Sequence, residues 1–148
     1  MSVQLTDLST PALADTATWT WVRDRRQPQL APWFNRQATA GLILVCDVVV
    51  LELVRLAPNA QRATAMAETL SAFASVTMPE NVWDDARALQ LKLAEHGDHR
   101  RVPPTDLLIA SAALRADVPV LHYDRDYERI ASVSALRHQW LVPEGTLA

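Results

Sequence analysis

The sequence predicts an α/β fold in which helices cover both faces of a parallel sheet. Three observations carry this. Short apolar runs alternate with longer stretches of helical periodicity, the pattern of strand–helix–strand units. One run, residues 42–46, is continuously apolar and partly β-branched, as a strand buried on both faces must be. The glycines Gly41, Gly97 and Gly145 all fall where an element should end.

Taken in chain order, residues 11–15 form a short first strand, although alanine has little preference for strands. Residues 30–40 read as a helix with Trp33 and Phe34 on its apolar side. The buried strand 42–46 follows Gly41. Asp47 is placed to cap a helix that runs to about Leu56 and stops before Pro58. Residues 61–75 read as a helix and 76–78 as extended chain. Pro79 opens a long helix to about His96, closed by Gly97. Its residues Val82, Ala86, Leu89 and Leu93 recur at helical spacing and form a core stripe. A basic loop, 99–102, leads to Pro103 and Pro104, after which Thr105 is the expected cap of a helix over 106–116. Residues 118–122 form a compact strand, 123–126 a loop and 127–131 a short helix. A last strand covers 140–142, before Pro143 and Gly145.

The 148 residues suit a single domain, 1–148, with residues 1–11 as an N-terminal extension. With 49% hydrophobic residues and a net charge of −3, the chain can bury a core and is not of the disordered class. No membrane partner is expected, because the most apolar stretch, 42–54, is short and carries Asp47 and Glu52. The start of the chain has no basic, apolar leader, and the expected location is cytoplasmic. A single cysteine, Cys46, leaves no disulfide within the chain and no cysteine-rich zinc site; it reads as a core residue. The mild acidic excess argues against coating of nucleic acid by bulk charge. It does not exclude a nuclease whose acids are gathered at one place and neutralised by cations.

Four acids stand at such places. Asp15 ends the first strand, Asp124 follows the strand 118–122, Asp106 opens a helix and Glu52 lies within the apolar helix after Asp47. In open parallel sheets, ligands bind outside the carboxyl ends of the strands. Glu52 is the most telling of the four. It is the one charged residue in the run 48–54, and a buried carboxylate needs a cation or a proton. Its alternative partner is Arg55 at the helix surface. Asp106 in a first turn also satisfies the helix dipole, and Asp124 beside Arg125 also suits a solvated turn. Together the four describe a site of hard oxygen ligands, suited to Mg²⁺ or Mn²⁺ rather than zinc. Crowding should raise the pKa of some of them when no metal is bound.

Four stretches in this order resemble the motifs of PIN-domain ribonucleases, in particular the VapC toxins of bacterial toxin–antitoxin pairs. They are Asp15-Thr16-Ala17-Thr18-Trp19, Val50-Leu51-Glu52-Leu53, the run 104–110 around Asp106, and the run 121–127 around Asp124. The likeness continues to Trp140-Leu141-Val142-Pro143 and covers nearly the whole chain from Ala14. It implies a three-layer α/β/α sandwich around a parallel sheet, and endonucleolytic cleavage of RNA by metal-activated water. It implies Asp15, Glu52, Asp106 and Asp124 as catalytic residues, and Asp15, Asp106, Asp124 and Asp126 as metal ligands for Mg²⁺ or Mn²⁺. The implied partners are RNA, a VapB-like antitoxin and a second copy of the chain in a homodimer.

Two features depart from the family pattern. Ala17 stands where the family usually has serine, so Thr16 or Thr18 is the candidate for the supporting hydroxyl. Asp7-Leu8-Ser9-Thr10 is a poorer copy of the first motif; Asp15 is preferred because Trp19 and the spacing to Glu52 fit better. Arg23, Arg25 and Arg26, and Arg100 and Arg101 with His99, are candidates to hold RNA phosphates, with solvated surface as the alternative. Trp19, Trp21 and Trp33 are candidates for base stacking, antitoxin contact or core packing. His122 reads as a strand-end histidine with a backbone partner. A receiver-type phospho-acceptor domain also gathers acids at strand ends, but it needs a late lysine, and the only lysine is Lys92. A non-catalytic interaction protein on the same fold is the other alternative, and the presence of all four acids argues against it.

Overall fold

The computed structural model describes residues 3–147. Five short strands form one parallel sheet: β1 (Ala12–Ala14), β2 (Ile43–Val45), β3 (Ala74–Ser75), β4 (Val120–His122) and β5 (His138–Trp140). Their spatial order is β3-β2-β1-β4-β5. Between them run α1 (Thr16–Val22), α2 (Leu30–Thr39), α3 (Asp47–Arg55), α4 (Ala60–Ser71), α5 (Val82–Glu95), α6 (Pro104–Ala116) and α7 (Asp126–Ser132). The chain winds outward from β1 to β3, then crosses to the other side of β1. Crossovers of parallel strands are right-handed as a rule, and because these run in opposite directions from β1 they place helices on both faces, giving the expected three layers.

β1 is the hub. Ala12, Leu13 and Ala14 are all fully buried, and β1 pairs with β2 through Leu13↔Leu44 and with β4 through Leu13↔Val120 and Ala14↔Leu121. Neighbours on both sides override the weak strand preference of alanine, and small side chains let helices close over the sheet. The core is continuous from Trp33, Leu30 and Phe34 through the strands to Leu93, Ile109 and Ile130. The predicted stripe Val82, Ala86, Leu89 and Leu93 is buried as expected, and so is Cys46, whose thiol burial pushes upward.

Several boundaries differ from the sequence expectation, each for a local reason. The helix α1 was not foreseen, because Asp15 reads as the end of a strand; it is also the cap of α1, accepting from Thr18 N–H at 2.9 Å. Cys46, not Asp47, is the cap residue of α3, and Asp47 lies in its first turn. Pro103, not Thr105, caps α6, with Pro104 at the first helical position where its missing N–H costs nothing. The helix α4 ends at Ser71 rather than 75, making room for β3. β3 and β5 start two residues before the predicted strands 76–78 and 140–142. Val76 N–H still donates to Val45 (2.7 Å) and Leu141 N–H to His122 (2.7 Å), so pairing runs on into the predicted segments.

Gly41 and Gly97 follow α2 and α5 with φ of +75° and +73°, the left-handed conformation that ends helices. Nothing lies near the position of an added Cβ at Gly97, so a side chain there meets only backbone strain. Gly97→Ala is therefore expected to lower unfolding free energy by about 1 kcal/mol, with an unchanged denaturant slope in urea titrations.

Candidate active site

The seam between β1 and β4 opens at its carboxyl end into a cleft of about 470 Å³, whose lining includes Asp15, Thr16, Trp21, Glu52, Asp106 and Asp124. This is the switch point of the sheet, where the winding reverses and no connection covers the strand ends. Asp15 is pinned across the seam. Its N–H donates to Leu121 O at 3.0 Å, and Thr18 Oγ1 donates to the same carbonyl at 2.9 Å. Asp124 lies in the turn after β4: its N–H donates to His122 Nδ1 at 3.1 Å, and its Oδ1 accepts from Asp126 N–H at 2.9 Å.

Asp106 enters from the first turn of α6. Its Oδ1 accepts from Tyr127 O–H at 3.4 Å, and its buried Oδ2 has no partner among the described residues. Glu52 comes from α3, which packs against α1 and α6; its Oε1 accepts from Thr16 O–H at 2.8 Å. Asp126, at the start of α7, is paired with Arg129 at 2.8 Å. Asp106, Asp124 and Asp126 each offer an oxygen, all within 4.8 Å of one another.

Such crowding has an electrostatic cost. Burial, reinforced by Asp124 and Glu52, raises the Asp15 carboxyl from its ordinary 3.8 to about 7 in spite of its bonds to Thr18. Burial and the neighbouring Asp126, Asp124 and Asp15 raise Asp106 to about 8. Asp124 is raised as well, first by burial. Tyr127, fully buried against these acids, is pushed well above its usual range and stays a donor. His122 is pushed down to about 3, by burial and then by the facing His138. An orphaned buried carboxylate oxygen among acids that resist ionisation fits a hard divalent cation.

The four acids named from the sequence thus line one cleft, and Asp126 stands behind them. Two premises need correction. Glu52 is only half-buried, because α3 buries Val49 and Leu53 while Leu51 on the same helix is 70% exposed. Its partner is Thr16 and not Arg55. Of the two candidate hydroxyls, Thr16 faces the cleft and Thr18 bonds Leu121. Asp7 is far from the site in role: its Oδ1 accepts from Trp33 Nε1 and Gln37 Nε2, both at 3.0 Å, tying the N-terminal segment to α2.

The arginines separate. None of the five lines the acidic cleft. Arg23 and Arg25 line a different groove, of about 590 Å³, with Trp19, Phe34 and Phe73; Arg26 folds back on Asp24. Arg100 and Arg101 are exposed just ahead of Pro103, which does line the cleft. Trp19 and Trp33 are core residues, while Trp21 lines the cleft edge-on to Tyr123. The backbone partner expected for His122 is the Asp124 amide, at 3.1 Å, whereas Tyr127 and the His122–His138 contact are parts of the site that the sequence does not point to. Their only trace in the sequence is polar aromatic residues beside an apolar strand.

A doubly wound sheet that brings four carboxylates to its switch point defines a class of α/β proteins built around an acidic cleft. The PIN-domain family model matches residues 12–133, and the chain belongs to that family. Ribonuclease VapC18 of Mycobacterium tuberculosis (strain ATCC 25618 / H37Rv) is 33% identical over 135 residues, covering 90% of this chain and 96% of its own. Ribonuclease VapC21 of Mycobacterium tuberculosis (strain CDC 1551 / Oshkosh) is 36% identical over 107 residues, 72% and 78% of the two chains. Among solved structures, a chain of DNA-bound VapBC from Salmonella typhimurium shares the fold with a TM-score of 0.70 at 17% identity, covering 89% of this chain and 98% of that one. Among the described residues no helix is long and apolar enough to cross a membrane.

The raised acids set a pH dependence. Without metal, Asp15 and Asp106 keep their protons in the fold up to about pH 7 and pH 8, whereas the unfolded chain releases them near 3.8. The fold then binds more protons than the unfolded chain across that window, so stability falls as pH rises through it. The melting temperature of chelator-treated protein should decline from about pH 5 to about pH 8, and Asp106→Asn should flatten that decline.

Proposed function

We infer that this chain is an endoribonuclease, the toxin of a VapBC-type toxin–antitoxin pair, that hydrolyses RNA phosphodiesters with Mg²⁺ or Mn²⁺ held in the acidic cleft. The observation that carries this reading is the unpartnered, buried Asp106 Oδ2 among three further carboxylates at the seam of β1 and β4. The curated relatives are ribonucleases at 33% and 36% identity, which selects RNA as the substrate.

Asp15, Asp106 and Asp124 would hold the cation, with Asp126 adding an oxygen when Arg129 releases it. A bound Mg²⁺ or Mn²⁺ supplies the charge that acidifies water and neutralises the phosphodiester. Glu52 is oriented by the Thr16 hydroxyl at one oxygen, which leaves the other to accept a proton from the attacking water. Tyr127 holds Asp106 in place from behind. Arg100 and Arg101, at the approach to Pro103, are assigned to RNA phosphates. Arg23 and Arg25 line the other groove and Arg26 is paired with Asp24, so these three fall outside that role. Two protein partners belong to this reading: a VapB-like antitoxin, in keeping with the VapBC structures that share the fold, and a second copy of the chain.

The test is cleavage of an RNA oligonucleotide with added Mg²⁺ or Mn²⁺. Glu52→Gln should lower kcat by about 10²–10⁴-fold, the usual worth of a general base. Asp15→Asn and Asp106→Asn should abolish metal-dependent cleavage. Undiminished cleavage in excess chelator overturns the mechanism. Asp7→Ala, by contrast, should cost about 1–3 kcal/mol of stability, by leaving Trp33 Nε1 and Gln37 Nε2 unpaired, while RNA cleavage per folded molecule stays at the wild-type level.

A further inference from the structure

We propose that His122 is a positioning residue that fixes the Asp124 turn through its ring Nδ1, and that His138 holds His122 in the one tautomer able to do so. The proposal rests on the cation-site reading above.

His122 is the last residue of β4 and is fully buried. Its ring is enclosed by those of Trp140, Tyr127 and His138, at centroid distances of 4.8, 4.9 and 5.0 Å. Both ring nitrogens are engaged: Nδ1 lies 3.1 Å from the Asp124 backbone nitrogen, and Nε2 lies 2.8 Å from His138 Nδ1. A backbone N–H can only donate, so His122 Nδ1 carries a lone pair and accepts. The neutral ring then has its proton on Nε2 and donates it to His138 Nδ1. His138 in turn carries its own proton on Nε2. The chain of N–H···N bonds has a single direction, from the Asp124 amide through His122 to His138.

That direction decides what His122 does. In the other tautomer, Nδ1–H would oppose the Asp124 N–H and leave two donors facing each other. The lone pair of His138 favours the productive form. The turn from His122 to Asp126 is then tied at two successive points: the Asp124 amide to the ring, and the Asp126 amide to Asp124 Oδ1 at 2.9 Å. The second bond uses Oδ1 and leaves Oδ2 of Asp124 for the cleft. Packing alone needs no histidine here, since leucine would fill an apolar pocket. Only a side chain with an acceptor at the Nδ1 position satisfies the amide. Groups that orient a metal ligand in this way are worth about 10–100-fold in metal affinity or activity.

Replacements that reach one ring-nitrogen position or the other separate positioning from packing. Asparagine places its Oδ1 where Nδ1 stands; glutamine reaches the Nε2 position and offers nothing to the amide. Full-length His122→Asn, His122→Gln and His122→Leu are titrated with Mn²⁺ alone by calorimetry, alongside melting temperature and RNA cleavage. The glutamine and leucine variants should bind Mn²⁺ about 10–100-fold more weakly and lose kcat rather than KM, while asparagine stays within about threefold of wild type. Asparagine as impaired as leucine, or leucine equal to wild type, overturns the proposal. Should the variants fail to fold, ¹⁵N-labelled wild-type protein decides: a nitrogen–nitrogen coupling across Asp124 N–H···Nδ1 of His122 is expected, and its absence overturns the proposal. Wild-type protein that neither binds Mn²⁺ nor cleaves RNA overturns the ribonuclease reading and this proposal with it. Wild-type protein that does both, matched by the leucine variant, overturns this proposal alone.

Discussion

One carbonyl organises the molecule. Leu121 O accepts from the Asp15 amide and from the Thr18 hydroxyl, joining the end of β1, the cap of α1 and the end of β4 at one point. The central strand is otherwise made of alanine and leucine, with no specific chemistry of its own. Its neighbours define it: β2 on one side, β4 on the other, in parallel register. Because the winding reverses there, the strand ends stay uncovered, and side chains from distant parts of the chain meet with no loop between them. Asp15 and Asp124 are neighbours for this reason. Asp106 and Glu52 reach the same place from helices that pack on each other, α6 and α3.

The cleft runs against the interests of the fold. Carboxylates with raised pKa values destabilise the metal-free protein at neutral pH, and the orphaned Asp106 oxygen adds to this. Sites that bind charge are commonly strained in this way, with the stability coming from elsewhere. Here it comes from the continuous core on both faces of the sheet and from polar anchors such as Asp7 with Trp33 and Gln37.

Much of this was legible in the sequence, for physical reasons. Strand–helix alternation gives the sheet, and acids at strand ends and helix starts give the cleft, because both depend on local pattern. Boundaries were less legible where one residue serves two elements. Asp15 ends a strand and caps a helix, and only the first role shows in the alanine-rich run before it. Thr105 looks like a cap, yet the two prolines before it already provide the extended entry and the free first position. The apolar run overstates the burial of Glu52, because it reads as buried on all sides while Leu51 and Leu56 face outward. The arginines are legible only as clusters of charge: which of them borders the acidic cleft depends on the groove that each flank of the fold presents.

Cys46 carries a consequence of a different kind. It joins β2 to α3, the helix that bears Glu52, and its thiol is fully enclosed and held protonated by burial. Modifying reagents attack the thiolate, so the folded protein is inert to them until this joint opens. The rate of thiol labelling is therefore a clock for local opening beside the cleft, readable in the native chain without any added probe. A cation that draws the acids together would slow that clock.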